Sequence, residues 1–247
     1  MVVNTDRRPL LLCLPGALLN ERQFDLQLAQ LSDEIRIEVI DYHGTLTARP
    51  DERGIERAAN AIGARIAARS EESVFLCGHS LGGMIAQIVA ANCSDHIKGL
   101  ILIETSYGPF PPAMRRIAGV LSKAALRLAP WSVMRSSVLK YHGQHSKLAR
   151  SYLSEALPLE EPDRWRSVVA QALLFDGRET LSAISTPTLI ITGALNTATQ
   201  GQARRMARSI PDASLVEVPQ AGHMVNLDRS EAVSLEIRNV CFRNARQ

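Results

Sequence analysis

Residues 74 to 89 read Val-Phe-Leu-Cys-Gly-His-Ser-Leu-Gly-Gly-Met-Ile-Ala-Gln-Ile-Val, and this stretch decides the fold of the chain. Its first four residues form an apolar β-type run, and apolar side chains from Leu81 onward recur at helical spacing. Between the two, Gly78 to Gly82 is a G-x-S-x-G turn, which projects a serine hydroxyl over the edge of a sheet. Glycines flank Ser80 because larger side chains there would collide with the neighbouring strand and helix. The stretch therefore predicts a strand, a turn that carries a nucleophile, and a helix.

Similar strands and helices alternate on both sides of this unit. Short runs rich in Val, Ile and Leu predict further strands at Leu10 to Leu14, Ile35 to Ile40, Gly99 to Ile103, Thr188 to Thr192 and Leu215 to Val218. Apolar residues every three or four positions predict helices at Gln23 to Leu31, Ile55 to Arg69, Leu81 to Asn92, Gln202 to Ser209 and Glu231 to Phe242. The alternation with short connections predicts an α/β fold with a mostly parallel, doubly wound sheet.

The alternation fails between about residues 107 and 183, where helical stretches follow one another without a strand. We interpret this segment as a helical cap inserted before the last two strands of a single domain that spans residues 1–247. Its first part, from Tyr107 to Arg150, contains eight basic residues and no acidic residue. This asymmetry is typical of a solvated helix face. Acidic residues later in the cap then balance its positive charge. The alternative is a basic amphipathic helix that contacts an anionic membrane or guides an acidic substrate.

Composition argues against several classes of protein. The 28 basic and 25 acidic side chains are spread along most of the chain, so we expect no nucleic-acid partner. No apolar run approaches the roughly 20 residues of a membrane span, so we expect no stable membrane insertion. The four cysteines are widely spaced and form no C-x-x-C pair, so we expect reduced, mostly buried thiols and no metal site. The amino terminus has no apolar signal region, so we expect a cytoplasmic protein. The oligomeric state cannot be read from the sequence.

Taken together, these landmarks resemble the α/β-hydrolase superfamily over nearly the whole chain. Leu14-Pro15-Gly16-Ala17 is similar to the family's H-G-x turn after the first core strand. Gly222-His223 follows the last predicted strand, where the family places its catalytic histidine. The resemblance implies that Ser80 is the nucleophile and His223 its general base, with the backbone N–H groups of Ala17 and Leu81 as the oxyanion hole.

The third member of the catalytic triad departs from the family pattern. An Asp is usual after the strand at Thr188 to Thr192, but this chain has Asn196 there, and an amide stabilises an imidazolium poorly. Three accounts stay open. In the first, Asn196 orients the histidine. In the second, the acid is Glu104, which lies at the end of the strand from Gly99 to Ile103, where certain haloalkane dehalogenases place their acid. In the third, the chain has lost ordinary turnover through divergence or deliberate mutation.

Other motif-like residues predict structural roles. Asp41-Tyr42-His43-Gly44 resembles a degenerate D-x-R-G-H-G segment of the family, which we interpret as a structural turn. We expect surface or structural roles for the histidines other than His223, namely His43, His79, His96, His142 and His145.

The favoured function is a cofactor-independent serine hydrolase that cleaves a small carboxylic ester, lactone or thioester through an acyl-enzyme at Ser80. The alternative is a ligand-binding receptor or an impaired hydrolase, because Asn196 stands at the usual position of the acid. A serine nucleophile argues against dehalogenase and epoxide hydrolase chemistry, which use Asp on this fold. The same Ser–His pair also serves lyases and cofactor-free oxygenases, so the sequence leaves the reaction class and the substrate unidentified.

Overall fold

A computed structural model describes residues 6–47, 53–69, 73–108, 110–157, 160 and 162–243, without the side chains of Pro112, Arg115 and Arg116. Its centre is one sheet of six strands in the spatial order β2-β1-β3-β4-β5-β6. The strands are β1 (Leu10–Leu14), β2 (Arg36–Val39), β3 (Val74–His79), β4 (Gly99–Ile103), β5 (Thr188–Gly193) and β6 (Ala213–Val218). All five strand pairings are parallel, which confirms the predicted fold class.

Twelve α-helices are found in the part of the chain that the structure describes. They are α1 (Asp25–Leu31), α2 (His43–Thr47), α3 (Gly54–Ala67), α4 (Leu81–Asn92), α5 (Arg115–Leu128), α6 (Trp131–His142), α7 (Lys147–Ala156), α8 (Pro162–Leu174), α9 (Arg178–Leu181), α10 (Thr197–Ser209), α11 (Val225–Asp228) and α12 (Ser230–Arg243). Every strand predicted from the sequence is present within two residues at each end. Helix α10 begins five residues before its predicted start at Gln202, because its first turn lacks an apolar repeat.

Both faces of the sheet are buried, as continuous apolar strands require. Side chains alternate along each strand. Leu12 and Leu76 face one layer, which contains α3, α4 and α10. Cys13 and Cys77 face the other layer, which contains α1 and α12. The sheet is therefore doubly wound, and its strands end at one common edge where loops from both layers meet.

Helices α5 to α9 occupy the segment between β4 and β5, and no strand lies among the described residues of that segment. Helix α8 packs against α5 and against α2, and the Trp131 and Trp165 rings join α6 to α8 with their centroids 4.6 Å apart. That these helices form a cap within a single domain stays a prediction.

The four cysteines are free, and Cys13, Cys77 and Cys241 are buried. Burial raises the pKa of Cys241 to about 12, so its thiol stays protonated and unreactive at neutral pH. None of the described helices combines the length and the apolar character that a membrane span needs.

Candidate active site

Ser80 lies in the sharp turn between β3 and α4, in a backbone conformation that non-glycine residues rarely adopt. Its φ is 51°. Hydrogen bonds fix the turn on both sides: the Ser80 N–H donates to the Ile103 carbonyl over 2.9 Å, and the Thr105 hydroxyl donates to the Ser80 carbonyl over 2.6 Å. The strained backbone is thus held by the last residue of β4 and by the loop that follows it, and the half-buried serine side chain projects from the sheet edge.

The glycines of the motif allow three chain segments to approach closely. A Cβ on Gly82 would collide with the carbonyl oxygens of Leu14 and Pro15, and one on Gly78 would collide with the Gly82 backbone. The amino end of α4 therefore lies directly against the turn that follows β1. This contact gives the physical reason for the G-x-S-x-G pattern.

His223 lies in the loop between β6 and α11, and His79 anchors this loop. The Nε2 atom of His79 lies 2.9 Å from the His223 carbonyl oxygen. Burial, with a contribution from the neighbouring His223, lowers the pKa of His79 to about 3, so His79 is neutral and its Nε2–H donates to that carbonyl. The residue next to the serine in the motif thus positions the backbone of the predicted base. The structural role predicted for His79 agrees with this contact.

Glu104 follows β4 directly and is 2% exposed. Its Oε1 accepts hydrogen bonds from the Gly193 N–H and, over 3.0 Å, from the Thr192 hydroxyl. Its Oε2 accepts from the Asn196 amide nitrogen and, over 2.7 Å, from the Thr199 hydroxyl. Four donors from the β5 end and the first turn of α10 therefore surround one buried carboxylate.

These donors decide the protonation state of Glu104. Burial alone raises the pKa of the carboxyl, but hydrogen bonds from His223, Gly193 and Thr199 and the charge of His223 outweigh burial, so the net pKa lies below its ordinary value. Glu104 is consequently ionised at neutral pH although solvent is almost excluded.

The structure brings three of the predicted triad residues together. The Nδ1 atom of His223 lies 3.4 Å from Glu104 Oε2 and 3.2 Å from the Asn196 amide nitrogen. The Asn196 amide oxygen points elsewhere and accepts a hydrogen bond from the Tyr141 hydroxyl over 3.3 Å. This amide orientation follows from the network, because the amide nitrogen faces an ionised carboxylate that can only accept.

The turn after β1 is held by side chains from two directions. The Gly16 N–H donates to the Gln23 side chain over 2.8 Å, and the Leu18 N–H donates to His43 Nε2 over 3.0 Å. The other ring nitrogen of His43 lies 3.0 Å from the Asp41 carboxylate. These contacts fit the predicted structural role of the segment from Asp41 to Gly44, which shapes the turn that contains Ala17.

Ser80 and His223 line the same cavity, which has a volume of about 210 Å³. Its other polar side chains are His79 and His142, and Gly16 and Ala17 form part of its wall. Most of its apolar wall comes from the segment between β4 and β5: Val138, Leu153, Leu157, Trp165 and Val169. A second cavity, of about 390 Å³, shares Leu19 and Trp165 with the first.

Sequence patterns did not indicate the contact of His142 with this site. His142 ends α6, and its ring centroid lies 4.3 Å from that of His223. Burial, followed by the nearby His223 and His79, lowers the pKa of His142 to about 2, so the ring is neutral. No local pattern signals this placement, because it depends on how α6 folds back over the sheet edge. His43 and His96 take structural and surface positions as expected.

Comparison with known proteins decides the family. A model of the alpha/beta hydrolase family matches residues 11–235. The chain belongs to the alpha/beta hydrolase family. The expectation of a hydrolase-class enzyme is confirmed by this match and by its curated relatives.

Three similar proteins illustrate the range of the family. The pimeloyl-[acyl-carrier protein] methyl ester esterase of Chromobacterium violaceum is 29% identical over 205 residues, which cover 78% of this chain and 79% of the esterase. Haloalkane dehalogenase 2 of Mycobacterium tuberculosis is 27% identical over 254 residues, covering 93% and 86%. The crystal structure of an enol-lactonase from Burkholderia xenovorans superposes with a TM-score of 0.80 at 20% identity, covering 95% of this chain and 92% of the lactonase.

Proposed function

We propose that this hydrolase cleaves a small carboxylic ester, lactone or thioester through an acyl-enzyme on Ser80, without a cofactor. One observation carries the proposal: Ser80 and His223 line one small cavity, and the Nδ1 atom of His223 faces a buried, ionised carboxylate. In this mechanism the Ser80 oxygen attacks the substrate carbonyl while His223 Nε2 takes the serine proton. Collapse of the tetrahedral intermediate expels the alcohol or thiol, which receives that proton. Water then attacks the acyl-enzyme by the same steps and releases the acid.

We assign the acid of the triad to Glu104. For His223 to act as a base at Nε2, its proton must reside on Nδ1 and be donated to an acceptor. The ionised Glu104 is such an acceptor, whereas Asn196 presents a nitrogen that itself donates. The 3.4 Å separation is longer than an ordinary N–H···O hydrogen bond, and such contacts often tighten when substrate binds. In this assignment Asn196 is a positioning residue that holds the carboxylate.

The proposed oxyanion hole consists of the Ala17 and Leu81 N–H groups. Leu81 is the first residue of α4, so the helix's own hydrogen bonds leave its N–H available, and the helix dipole favours negative charge there. In the turn after β1, the N–H groups of Gly16, Leu18 and Leu19 are used within the fold. Ala17, which lines the cavity, is the residue whose N–H would meet the oxyanion.

Cavity size and lining support a small acyl substrate. About 210 Å³ with mostly aliphatic walls suits a short acyl group better than a bulky aromatic one. The curated name of the Chromobacterium relative, a methyl ester esterase, agrees with ester chemistry. We further propose that α5 to α9 act as the cap that closes this cavity, and that the protein works in the cytoplasm, where its free cysteines stay reduced.

A fluorophosphonate probe tests the proposal, because it reacts with a serine only when a base activates it. We expect stoichiometric labelling of Ser80, found by mass spectrometry of the modified peptide, and no labelling of Ser80→Ala. Loss of labelling in His223→Ala would show that the base is required. Absence of labelling in the unmodified protein would contradict the hydrolase proposal and favour a ligand-binding receptor.

A further inference from the structure

Helix α5 presents an apolar face that no described part of the chain covers. Eleven large hydrophobic side chains are exposed among the described residues. Six of them lie between positions 114 and 133: Met114, Ile117, Val120, Leu121, Leu128 and Val133. Leu128 is 83% exposed, and Ile117 is 69% exposed. Scattered exposed aliphatic residues are normal on a protein surface, whereas a contiguous cluster marks an interaction site.

The exposed residues lie on one side of the helix because of their spacing. Ile117, Val120, Leu121 and Leu128 are separated by three, one and seven positions, which places them within one stripe of a 3.6-residue helix. The opposite side of α5 packs on α8. A Cβ on Gly119 would contact the Leu174 side chain, and the Leu126 carbonyl accepts a hydrogen bond from Arg166 over 2.7 Å. Gly119 and Leu126 therefore lie on the side that fixes α5 to α8. Val120 and Leu128 line an open groove of about 770 Å³ between the two helices, and Ile117 and Leu121 lie outside it on the solvent side.

Basic residues flank the apolar stripe. Lys123 and Arg127 are four positions apart along one edge of it, and the chain from Tyr107 to Arg150 has eight basic residues and no acidic one. A carboxylate beside this region, Asp163 on α8, is paired with Arg166 at 3.0 Å. Apolar side chains flanked by basic residues are the arrangement by which a helix lies in the interface of an anionic bilayer.

We infer that the α5 face, defined as the exposed side chains of Met114, Ile117, Val120, Leu121, Leu128 and Val133 with the neighbouring Lys123 and Arg127, is a docking surface for an anionic lipid bilayer. A second copy of this chain is a poor occupant, because a twofold contact through this face would bring like charges together. An anionic bilayer supplies both an extended apolar phase for the stripe and negative charge for its basic edge. Docking of this kind is peripheral and needs no membrane-spanning helix.

Vesicle sedimentation tests the inference. The purified chain is mixed with vesicles of phosphatidylglycerol and phosphatidylcholine (3:7) or of phosphatidylcholine alone. We expect at least about tenfold stronger binding to the anionic vesicles, falling with added salt because the basic edge contributes. The double variant Leu121→Asp with Arg127→Glu should lose about tenfold or more of this binding.

A matched control makes the same changes of size and charge elsewhere. Leu235→Asp with Arg208→Glu alters an exposed leucine on α12 and an exposed arginine on α10, and it should bind vesicles as the unmodified chain does. Circular dichroism checks that both variants are folded. Equal binding to neutral and anionic vesicles, equal loss in both double variants, or no binding at all would overturn the inference. A dimer that the α5 variant alone converts to monomer, without vesicle binding, would assign the face to a second copy instead.

Discussion

Glu104 is a buried carboxylate whose charge is maintained by four hydrogen-bond donors and a neighbouring histidine. Such donors matter because removing a hydrogen bond to a charged group costs about 1.5–3 kcal/mol. The network that supports the proposed role of Glu104 as the triad acid therefore also stabilises the fold, because it joins the ends of β4 and β5.

Replacing Glu104 by Gln should make stability depend less on pH. The folded pKa of Glu104 lies below its ordinary value of 4.5, so the unfolded chain binds its proton first as pH falls. Its contribution is complete at pH 7 and is lost as pH falls from about 4.5 through the folded pKa. We expect Glu104→Gln to lose about 1.5–3 kcal/mol of unfolding free energy at pH 7 and less at pH 4, measured by urea denaturation. A difference that is the same at both pH values would contradict this account.

His142 packs on His223 from α6 and is neutral, which suits a residue that positions the proposed base by ring contact. We expect His142→Ala to lower kcat about tenfold with little change in KM, because the His223 ring gains freedom. His142→Phe keeps an aromatic ring at this place and should recover most of the kcat. If the Phe variant is as slow as the Ala variant, a hydrogen bond from His142, and not its packing, is what the site needs.

Helix α4 shows how far local sequence determines an element. The prediction of Leu81 to Asn92 agrees with the observed bounds, because β3 ends at His79, Ser80 forms the turn and the apolar repeat starts at Leu81. Helix α10 was predicted too short, since Thr197 to Gly201 carry no apolar repeat. Its start is fixed instead by tertiary contacts: the hydroxyl of Thr199 donates to Glu104, and no local pattern records this bond.

A glycine comparison tests the contact between α4 and the turn after β1. Gly82→Ala should destabilise the fold by about 2 kcal/mol or more and lower kcat/KM at least tenfold, because the new Cβ collides with the Leu14 and Pro15 carbonyls. Gly201→Ala is the control: Gly201 lies within α10 with open space around it, so the change should stabilise by up to about 1 kcal/mol. Thermal unfolding and ester hydrolysis measure both. A harmless Gly82→Ala would refute the close approach.

At the scale of the whole molecule, alternating strands and helices were enough to predict the parallel sheet and its two covered faces. The same ordering placed Ser80, His223 and Glu104 at the ends of their strands, so their meeting at one edge could be anticipated. The contacts of Tyr141 and His142 could not, because they depend on how α6 returns over that edge. These two residues are far from Ser80 and His223 in the sequence, and no local sequence pattern indicates that they contact the site.

The helices between β4 and β5 contribute to two different surfaces of the molecule. Their inner side supplies most of the apolar wall around Ser80, and α5 exposes aliphatic side chains on the outer side. In the two proposals, one segment of the chain shapes the substrate cavity and also carries the membrane-docking face.

The most direct test of the central claim compares kcat/KM on short p-nitrophenyl esters for the unmodified chain, Glu104→Gln and Asn196→Ala, with Ser80→Ala as the blank. We expect Glu104→Gln to lose about a hundredfold or more, because His223 then lacks an ionised acceptor, and Asn196→Ala to lose about tenfold or less. Circular dichroism confirms that each variant is folded. A larger loss in Asn196→Ala than in Glu104→Gln, or an unmodified chain no faster than the Ser80→Ala blank, would contradict a Ser80–His223–Glu104 hydrolase.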